Sequence, residues 1–199
     1  MNYKINLEKT AISNGVSNSC KLLVENYINN KTCIILDYGF GRLRNTHYML
    51  NHNMNVDILD TKEQIQNNLD ELSKLNVNIF EASEVLTEDY YNCILLSFVL
   101  NVIPNIRTRK NILNNIHLGL KKDGLLYLEV RTDNFLKNVK HKIKHNDGYI
   151  LGNNNSRTFQ KPYTKEEITS FLIECGFKVI NVKKYSNSIV CICEKEEEN

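Results

Sequence analysis

The chain has 199 residues, a formal net charge of +2 at pH 7, and 42% hydrophobic against 24% charged residues. This composition is ordinary for a globular protein and excludes a fibrous or disordered chain, while the length predicts a single domain. The near balance of charge does not indicate a nucleic-acid binder. No apolar run approaches the roughly 20 residues of a membrane span, and the residues after Met1 lack the apolar core of a signal peptide. We therefore expect a cytoplasmic protein with no membrane partner.

Short apolar runs rich in β-branched residues alternate with segments of helical spacing. This alternation predicts an α/β fold, a mostly parallel seven-stranded sheet with helices on both faces. The predicted strands are Thr32–Leu36, Val56–Leu59, Val77–Phe80, Cys93–Ser97, Leu125–Val130, Lys178–Val182 and Ser188–Cys193. Only a short turn around Ser186 separates the last two strands, so we expect a C-terminal antiparallel hairpin.

Three segments carry apolar residues three and four positions apart, which indicates helices that pack one face against a core. They are Cys20, Leu23, Val24 and Tyr27; Ile112, Leu113, Ile116 and Leu120; and Ile168, Phe171, Leu172 and Cys175. Capping boxes are predicted for Thr61 with Gln64 and for Thr164 with Glu167. Gly176 is expected to end the last helix in a left-handed conformation.

The six cysteines are predicted to be reduced core residues. Cys191 and Cys193 alternate along one strand and so point to one face. They lack the two-residue spacer and the matching pair that zinc sites have, and we expect no metal.

A basic stretch precedes the last third of the chain. It contains Lys137, Lys140, His141, Lys142, Lys144 and His145. Their spacing predicts one helical face. Such a face could steer an anionic acceptor, including nucleic acid, or could be an ordinary solvated surface, and the sequence leaves both interpretations open.

The most informative segment is the loop after the first strand, where an acid is followed by two glycines and a helix. Glycines let a ligand approach the backbone closely, and open α/β sheets bind ligands at the carboxyl ends of their strands. Arg44 replaces the third glycine of the dinucleotide fingerprint. Asp37 would repel a pyrophosphate but suits a ligand with an ammonium and a sulfonium group.

A second acid, Asp60, ends the second predicted strand 23 positions after Asp37. This is close to the spacing at which such an acid binds a ribose hydroxyl. The alternative is an acid that only starts a helix beside Thr61.

These motifs resemble those of class I S-adenosylmethionine-dependent methyltransferases over residues 33–193. The glycine loop resembles the family's first motif, Asp60 its ribose acid, Cys93–Pro104 its fourth-strand motif and Leu120–Tyr127 the turn into its fifth strand. Phe40 departs from the family, in which many members have a small residue or cysteine. The resemblance implies a Rossmann-like fold, S-adenosyl-L-methionine as cofactor, and methyl transfer to a small molecule or a nucleic-acid component.

The resemblance also implies a set of cofactor-binding residues. They are Asp37, Tyr38, Gly39, Phe40, Gly41, Arg44, Asn45, Asp60, Glu81, Ala82, Ser97 and Phe98.

A narrower resemblance links Lys9–Ser13 and Ser156–Lys161 to methyltransferases that accompany bacterial DNA-modification and defence systems. It implies that both segments flank the active site. On this basis residues 1–30 are expected to cap the cofactor side and residues 131–163 to form a substrate-side insertion. The predicted substrate residues are Asn101, Arg131, Arg157, Phe159 and Gln160.

The sequence leaves the catalytic base unassigned, with Glu129 and His117 as further candidates. The segment at Asn101 lacks the Asn-Pro-Pro-aromatic signature of the methyltransferases that act on exocyclic amino groups of bases. A non-catalytic S-adenosylmethionine-binding module, or a partner subunit of a nucleic-acid modification or defence system, is the alternative function. A nicotinamide-dependent oxidoreductase is a more distant one. The acceptor, the methylated atom and the oligomeric state stay open.

Overall fold

The computed structural model describes residues 15–30, 32–152 and 157–196. The segment Lys9–Ser13 and Ser156 lie outside the described residues. The helices are α1 (Asn18–Tyr27), α2 (Arg44–Asn51), α3 (Lys62–Asn67), α4 (Leu69–Leu72), α5 (Ile106–Gly119) and α6 (Lys165–Glu174), with 3₁₀ turns at Leu100–Val102 and Asp133–Leu136.

Ten strands form two sheets in the described part of the chain. The larger sheet contains β1 (Ile34–Tyr38), β2 (Asn55–Asp60), β3 (Ile79–Glu81), β4 (Tyr91–Ser97), β5 (Leu120–Arg131), β9 (Phe177–Lys184) and β10 (Ser188–Lys195). The smaller sheet contains β6 (Lys142–His145), β7 (Gly148–Leu151) and β8 (Thr158–Gln160).

The larger sheet has the strand order β3-β2-β1-β4-β5-β10-β9. Strands β1 to β5 pair in parallel, and β10 runs antiparallel to both β5 and β9. The predicted seven-stranded, mostly parallel sheet and its C-terminal hairpin are therefore confirmed.

Helices cover both faces of this sheet, as predicted. In β4, Ile94 and Leu96 belong to a core with α5 and α6, while Cys93 and Leu95 belong to a second core with α1 and α2. The split follows the period of two along a strand, which sends alternate side chains to opposite faces. Two buried faces explain why the central strands are continuous apolar runs.

All six cysteines lie in the described residues, and each is buried and free. Cys191 and Cys193 both enter the core beneath α5 and α6, so the prediction that they share a face of the last strand is confirmed.

At least one boundary of each of the seven strands differs from the prediction, and the shift in β1 affects the site. Strand β1 begins at Ile34 and continues to Tyr38, because Asp37 still pairs with Ile58 on one side and Leu95 on the other. Asp37 therefore lies inside the sheet and not in the loop.

The two predicted capping boxes have different outcomes. Thr164 and Glu167 form the complete box at the start of α6, and Gly176 follows that helix with φ 79°. At the start of α3, Thr61 accepts from the backbone of Gln64. The Gln64 side chain donates instead to the carbonyl of Gly41, so this box is only half formed.

The predicted helical face in the basic stretch is wrong. Residues Lys142–His145 form strand β6, which pairs with β7 through a turn at Asn146, whose φ is 49°. A hairpin satisfies these backbone groups by pairing across strands, and β8 adds a third strand. Lys142 and Lys144 lie 6.0 and 4.9 Å from the ring of Tyr149. The nucleic-acid interpretation of these lysines stays a prediction.

A buried arginine joins the small sheet to the rest of the domain. Arg109 on α5 is 1% exposed. Its Nη2 donates to Asp147 Oδ2 at 2.5 Å, and its Nη1 donates to the hydroxyl of Tyr163 at 2.9 Å. The small sheet is thus held near the carboxyl end of β4 and the amino end of α5. None of the helices in the described residues has the length and apolar character needed to span a bilayer.

Candidate functional site

Three residues of the loop between β1 and α2 have a left-handed backbone conformation. Gly39 has φ 77° and Gly41 has φ 58°, and Leu43 at the start of α2 has φ 57°. The N–H of Gly39 donates to the carbonyl of Leu59 at 2.7 Å. A Cβ atom at Gly39 would lie 2.4 Å from Cγ2 of Val99. The loop therefore needs glycine at Gly39 both for its φ and for the close approach of the segment after β4.

Asp60 ties this loop to the end of β2. Its Oδ2 accepts from the N–H of Gly41 at 2.9 Å, and its Oδ1 accepts from the N–H of Thr61 at 2.7 Å. Burial raises the pKa of Asp60, and these N–H donors oppose the rise by stabilising the charged form. Asp60 thus ends β2 directly before Thr61, the N-cap of α3, and also contacts the glycine loop, so both of its predicted roles stay predictions.

Two arginines flank an aromatic ring after β4. Phe98 has φ 61°, and its N–H donates to the carbonyl of Glu129 at 2.8 Å. The guanidinium carbon of Arg131 lies 3.9 Å from the centre of the Phe98 ring, and that of Arg44 lies 5.4 Å away. Arg131 also lies 4.7 Å from the centre of the Phe135 ring. Burial lowers the pKa of both arginines, and the charge of Glu129 opposes this.

These features surround a cavity of about 340 Å³ at the carboxyl ends of β1, β2 and β4. Most of the predicted site residues line it, namely Tyr38, Gly39, Phe40, Gly41, Arg44, Asn45, Asp60, Ala82, Ser97, Phe98, Asn101, Arg131 and Gln160. The sequence analysis missed Arg42, Leu59, Thr61, Gln64, Val99, Val102, Ile103, Thr108, Ile112 and Phe135, which line it as well.

Four predicted residues do not line this cavity. Glu81, at the end of β3, accepts from the hydroxyl of Ser83 at 3.0 Å. Phe159 is fully buried, and its ring centre lies 6.4 Å from that of His145. Arg157 and Asp37 also stand apart from the wall. Their predicted binding roles stay predictions.

Asp37 lies 1% exposed beneath the loop. Its Oδ2 accepts from the hydroxyl of Thr46 at 2.7 Å. Burial raises the pKa of Asp37 to about 6, the Thr46 hydroxyl opposes the rise, and the nearby charge of Asp60 adds to it. Asp37 therefore fixes the start of α2 against β1.

The two further candidates for a base lie away from the cavity. Glu129 is buried and accepts from the side chain of Asn18, the N–H of Ser19 and the hydroxyl of Ser188 at 2.6–3.0 Å. His117 on α5 has its ring 5.4 Å from that of Phe177. Neither residue lines the cavity, and the contacts of Glu129 join α1 to β5 and β10.

Two of the missed residues, Gln64 and Phe135, show why the sequence alone did not place them in the site. Gln64 fits a capping box, yet its amide holds the Gly41 carbonyl, as described above. Phe135 lies in a 3₁₀ turn, where it contacts Arg131 and lines the cavity.

No family model matches the chain, and no curated protein sequence matches it. Solved structures do match it. An S-adenosylmethionine-dependent methyltransferase from Methanosarcina mazei superposes with a TM-score of 0.71 at 18% identity, covering 88% of this chain and 98% of that one. The chain has the fold of the class I S-adenosylmethionine-dependent methyltransferases.

Two further structures with the class I methyltransferase fold contain ligands. The 1,6-didemethyltoxoflavin-N1-methyltransferase of Burkholderia thailandensis, with bound 1,6-didemethyltoxoflavin and S-adenosylhomocysteine, matches with a TM-score of 0.65 at 18% identity, covering 90% of this chain and 77% of that one. The glycopeptide N-methyltransferase MtfA, complexed with sinefungin, matches with a TM-score of 0.67 at 12% identity, covering 92% and 95%.

Proposed function

We propose that this protein is an S-adenosylmethionine-dependent methyltransferase. One observation carries the proposal: the cavity at the carboxyl ends of β1, β2 and β4 is lined by both loop glycines and by Asp60. In open α/β sheets, ligands bind at the carboxyl ends of the strands. The cavity volume of about 340 Å³ lies in the usual range of small-molecule sites, roughly 300–1,000 Å³.

The lining residues fit the chemistry of the methyl donor. Asp60 would accept hydrogen bonds from the ribose hydroxyls, because a carboxylate oxygen that accepts one N–H still has a free lone pair. Arg44 offers a guanidinium for the donor's carboxylate, and Leu59 and Ala82 offer apolar surface for the adenine. Ser97 Oγ is buried without a hydrogen-bond partner in the described part of the chain, so a ligand can supply one.

S-adenosylmethionine, when bound, supplies a methyl carbon that an acceptor atom attacks, and the electron pair of the broken C–S bond stays on sulfur. The residues of the protein would contribute by holding the acceptor in line and excluding water, which can supply much of a rate enhancement. Asp60 is the one carboxylate among the described lining residues, and backbone N–H groups hold both of its oxygens. We infer that no side chain of the wall takes the acceptor's proton, which passes to bulk solvent after the methyl transfer.

Two chain segments support a division of the cavity into a donor side and an acceptor side. The N–H of Ser17, just before α1, donates to Asn45 Oδ1 at 3.0 Å, which supports residues 1–30 as a cap on the donor side. Residues 131–163 bring Arg131, Phe135 and Gln160 to the cavity, which supports this segment as the acceptor side. The ligands in the two similar structures support the same choice of donor.

Calorimetric titration with S-adenosylmethionine, S-adenosylhomocysteine and a nicotinamide dinucleotide tests the proposal. We expect the two sulfur nucleosides to bind and the dinucleotide to fail. Binding of neither sulfur nucleoside would refute the proposal, and binding of the dinucleotide alone would favour an oxidoreductase.

The variant Asp60→Asn locates the binding. It keeps the size of the side chain but removes the charge that a ribose hydroxyl would meet. A hydrogen bond to a charged group contributes about 1.5–3 kcal/mol, so we expect roughly 10- to 100-fold weaker binding. Asp123→Asn is the matched control, because Asp123 is exposed near the amino end of β5, at the end of the parallel strands opposite to the cavity. Equal affinity of both variants would remove Asp60 from the site.

A further inference from the structure

Two side-chain amides meet on the wall of the cavity. Asn101, in the 3₁₀ turn after β4, donates from Nδ2 to Oε1 of Gln160 on β8 at 2.8 Å. Asn101 is 1% exposed and Gln160 is 8% exposed, and both line the cavity. The N–H of Lys161 also donates to the backbone carbonyl of Asn101 at 2.7 Å. The turn and the strand therefore hold the two amides in a fixed relation.

This amide pair keeps unused hydrogen-bonding groups. Oδ1 of Asn101 is buried and has no partner in the described residues. The NH₂ group of the Gln160 side-chain amide donates to no atom within the described ranges. A single bond between two amides uses one donor and one acceptor. In either orientation of the amides, the pair offers a ligand one free carbonyl oxygen and one free NH₂ group.

The rest of the wall suits a flat, apolar body. The guanidinium carbon of Arg131 lies over the rings of Phe98 and Phe135, 3.9 and 4.7 Å from their centres, and Ile103 and Ile112 add aliphatic surface. Small-molecule sites of this kind combine an apolar lining with a few fixed polar groups that set the orientation of the ligand. Buried polar groups that stay unpaired cost free energy, so a ligand that lacks matching groups is rejected.

On the basis of the function proposed above, we propose that the methyl acceptor is a planar nitrogen heterocycle with a lactam-type edge, an N–H beside a carbonyl. The N–H donates to the free carbonyl of the amide pair, and the carbonyl accepts from its free amino group. Asn101 and Gln160 thus determine acceptor specificity by binding this edge. Neither side chain takes a proton in the reaction, because an amide is not a base at neutral pH.

The test uses the protein saturated with S-adenosylhomocysteine and two probes. 2-Pyridone carries the lactam edge, and 1-methyl-2-pyridone has the same ring but no N–H. Dissociation constants are measured by NMR titration. We expect 2-pyridone to bind at least about tenfold more tightly than its N-methyl analogue, because the analogue leaves the acceptor of the amide pair unpaired.

Two variants assign the preference to the amide pair. Asn101→Ala removes one amide, and Gln160→Glu keeps the shape of the side chain but loses the amino donor. Gln160→Glu should weaken the binding of both probes, because the carbonyl that both carry loses its donor, and Asn101→Ala, which removes the acceptor of the N–H, should abolish the tenfold preference. Asn114→Ala, at an exposed position of α5, is the matched control and should retain it. Gln160→Glu also keeps the test valid if Asn101→Ala fails to fold.

The possible outcomes separate the two proposals. If S-adenosylhomocysteine does not bind, the proposed function fails and this inference fails with it. If it binds but the two pyridones bind equally, or if the preference survives in Asn101→Ala and Gln160→Glu binds both probes as tightly as the wild type, the amide pair does not determine acceptor specificity and only this inference is overturned.

Discussion

Replacing Gly39 by alanine tests whether the glycine loop is held closed by the segment after β4. The φ of Gly39 is 77°, and the new Cβ would lie 2.4 Å from Cγ2 of Val99. A left-handed conformation costs a residue with a Cβ about 1–2 kcal/mol. Forcing an extra carbon into a packed site costs about 1–3 kcal/mol. We therefore expect Gly39→Ala to lower the free energy of unfolding by about 2–5 kcal/mol.

Urea denaturation of a double-mutant cycle separates the two costs. In Val99→Ala the atom that meets the new Cβ is gone, so the double variant should keep the cost of the left-handed φ but not that of the contact. We expect the double variant to be more stable than the sum of the single variants by about 1–3 kcal/mol. Additivity within about 0.5 kcal/mol, or a destabilisation by Gly39→Ala below about 1 kcal/mol, would refute the close approach of the two segments.

Three further predictions concern groups that do not line the cavity. Burial raises the pKa of Asp37 to about 6, so the folded state binds a proton there that the unfolded state loses, and this group's contribution to stability falls as pH rises from about 4 to 6. Relative to Asp37→Asn, the wild type should lose about 1 kcal/mol of unfolding free energy between about pH 5 and pH 7. A constant difference between the two proteins in urea melts would contradict this. Arg109→Met should cost about 1–3 kcal/mol, because the buried hydroxyl of Tyr163 and the partly exposed Asp147 lose their donor. It should also speed hydrogen exchange in β6 and β7. Lys110→Met, which removes an exposed ion pair, should cost less than about 1 kcal/mol, and equal losses would show that burial of Arg109 does not strengthen its contacts. Thr164→Ala should lower the free energy of unfolding by about 1 kcal/mol, because α6 loses its cap. Ser170→Ala, at an exposed position of the same helix, should be nearly neutral in urea denaturation. Equal stability of the two variants would count against the cap.

The larger sheet was predictable because its signals are local. Two-sided burial makes each central strand a continuous apolar run, and the short turn before Ser188 forces the last two strands to pair antiparallel. The glycine loop was predictable for the same reason, since an acid, two glycines and a helix follow one another directly. Strand ends were less predictable, because pairing on both sides extends β1 through Asp37.

The smaller sheet was not predictable from spacing. Bases three and four positions apart between Lys137 and His145 fit a helix, but pairing with β7 makes part of this stretch a strand. The hairpin itself is local, but its attachment to the domain depends on a contact distant in sequence, the ion pair of Arg109 with Asp147. Helical spacing on a polar surface is a weak signal, since no core packing enforces it.

The sequence by itself determined the α/β class, the strand count and hairpin of the larger sheet, and the position of the glycine loop with Asp60, because local periodicity and turn chemistry carry that information. Only the tertiary structure decided which side chains share the cavity. It buried Asp37 below the loop, turned Gln64 onto Gly41, and brought Asn101 against Gln160, 59 positions later. The physical reason is that a hydrogen bond between distant residues leaves no periodic trace in either segment, whereas burial of a strand or a helix face repeats along it.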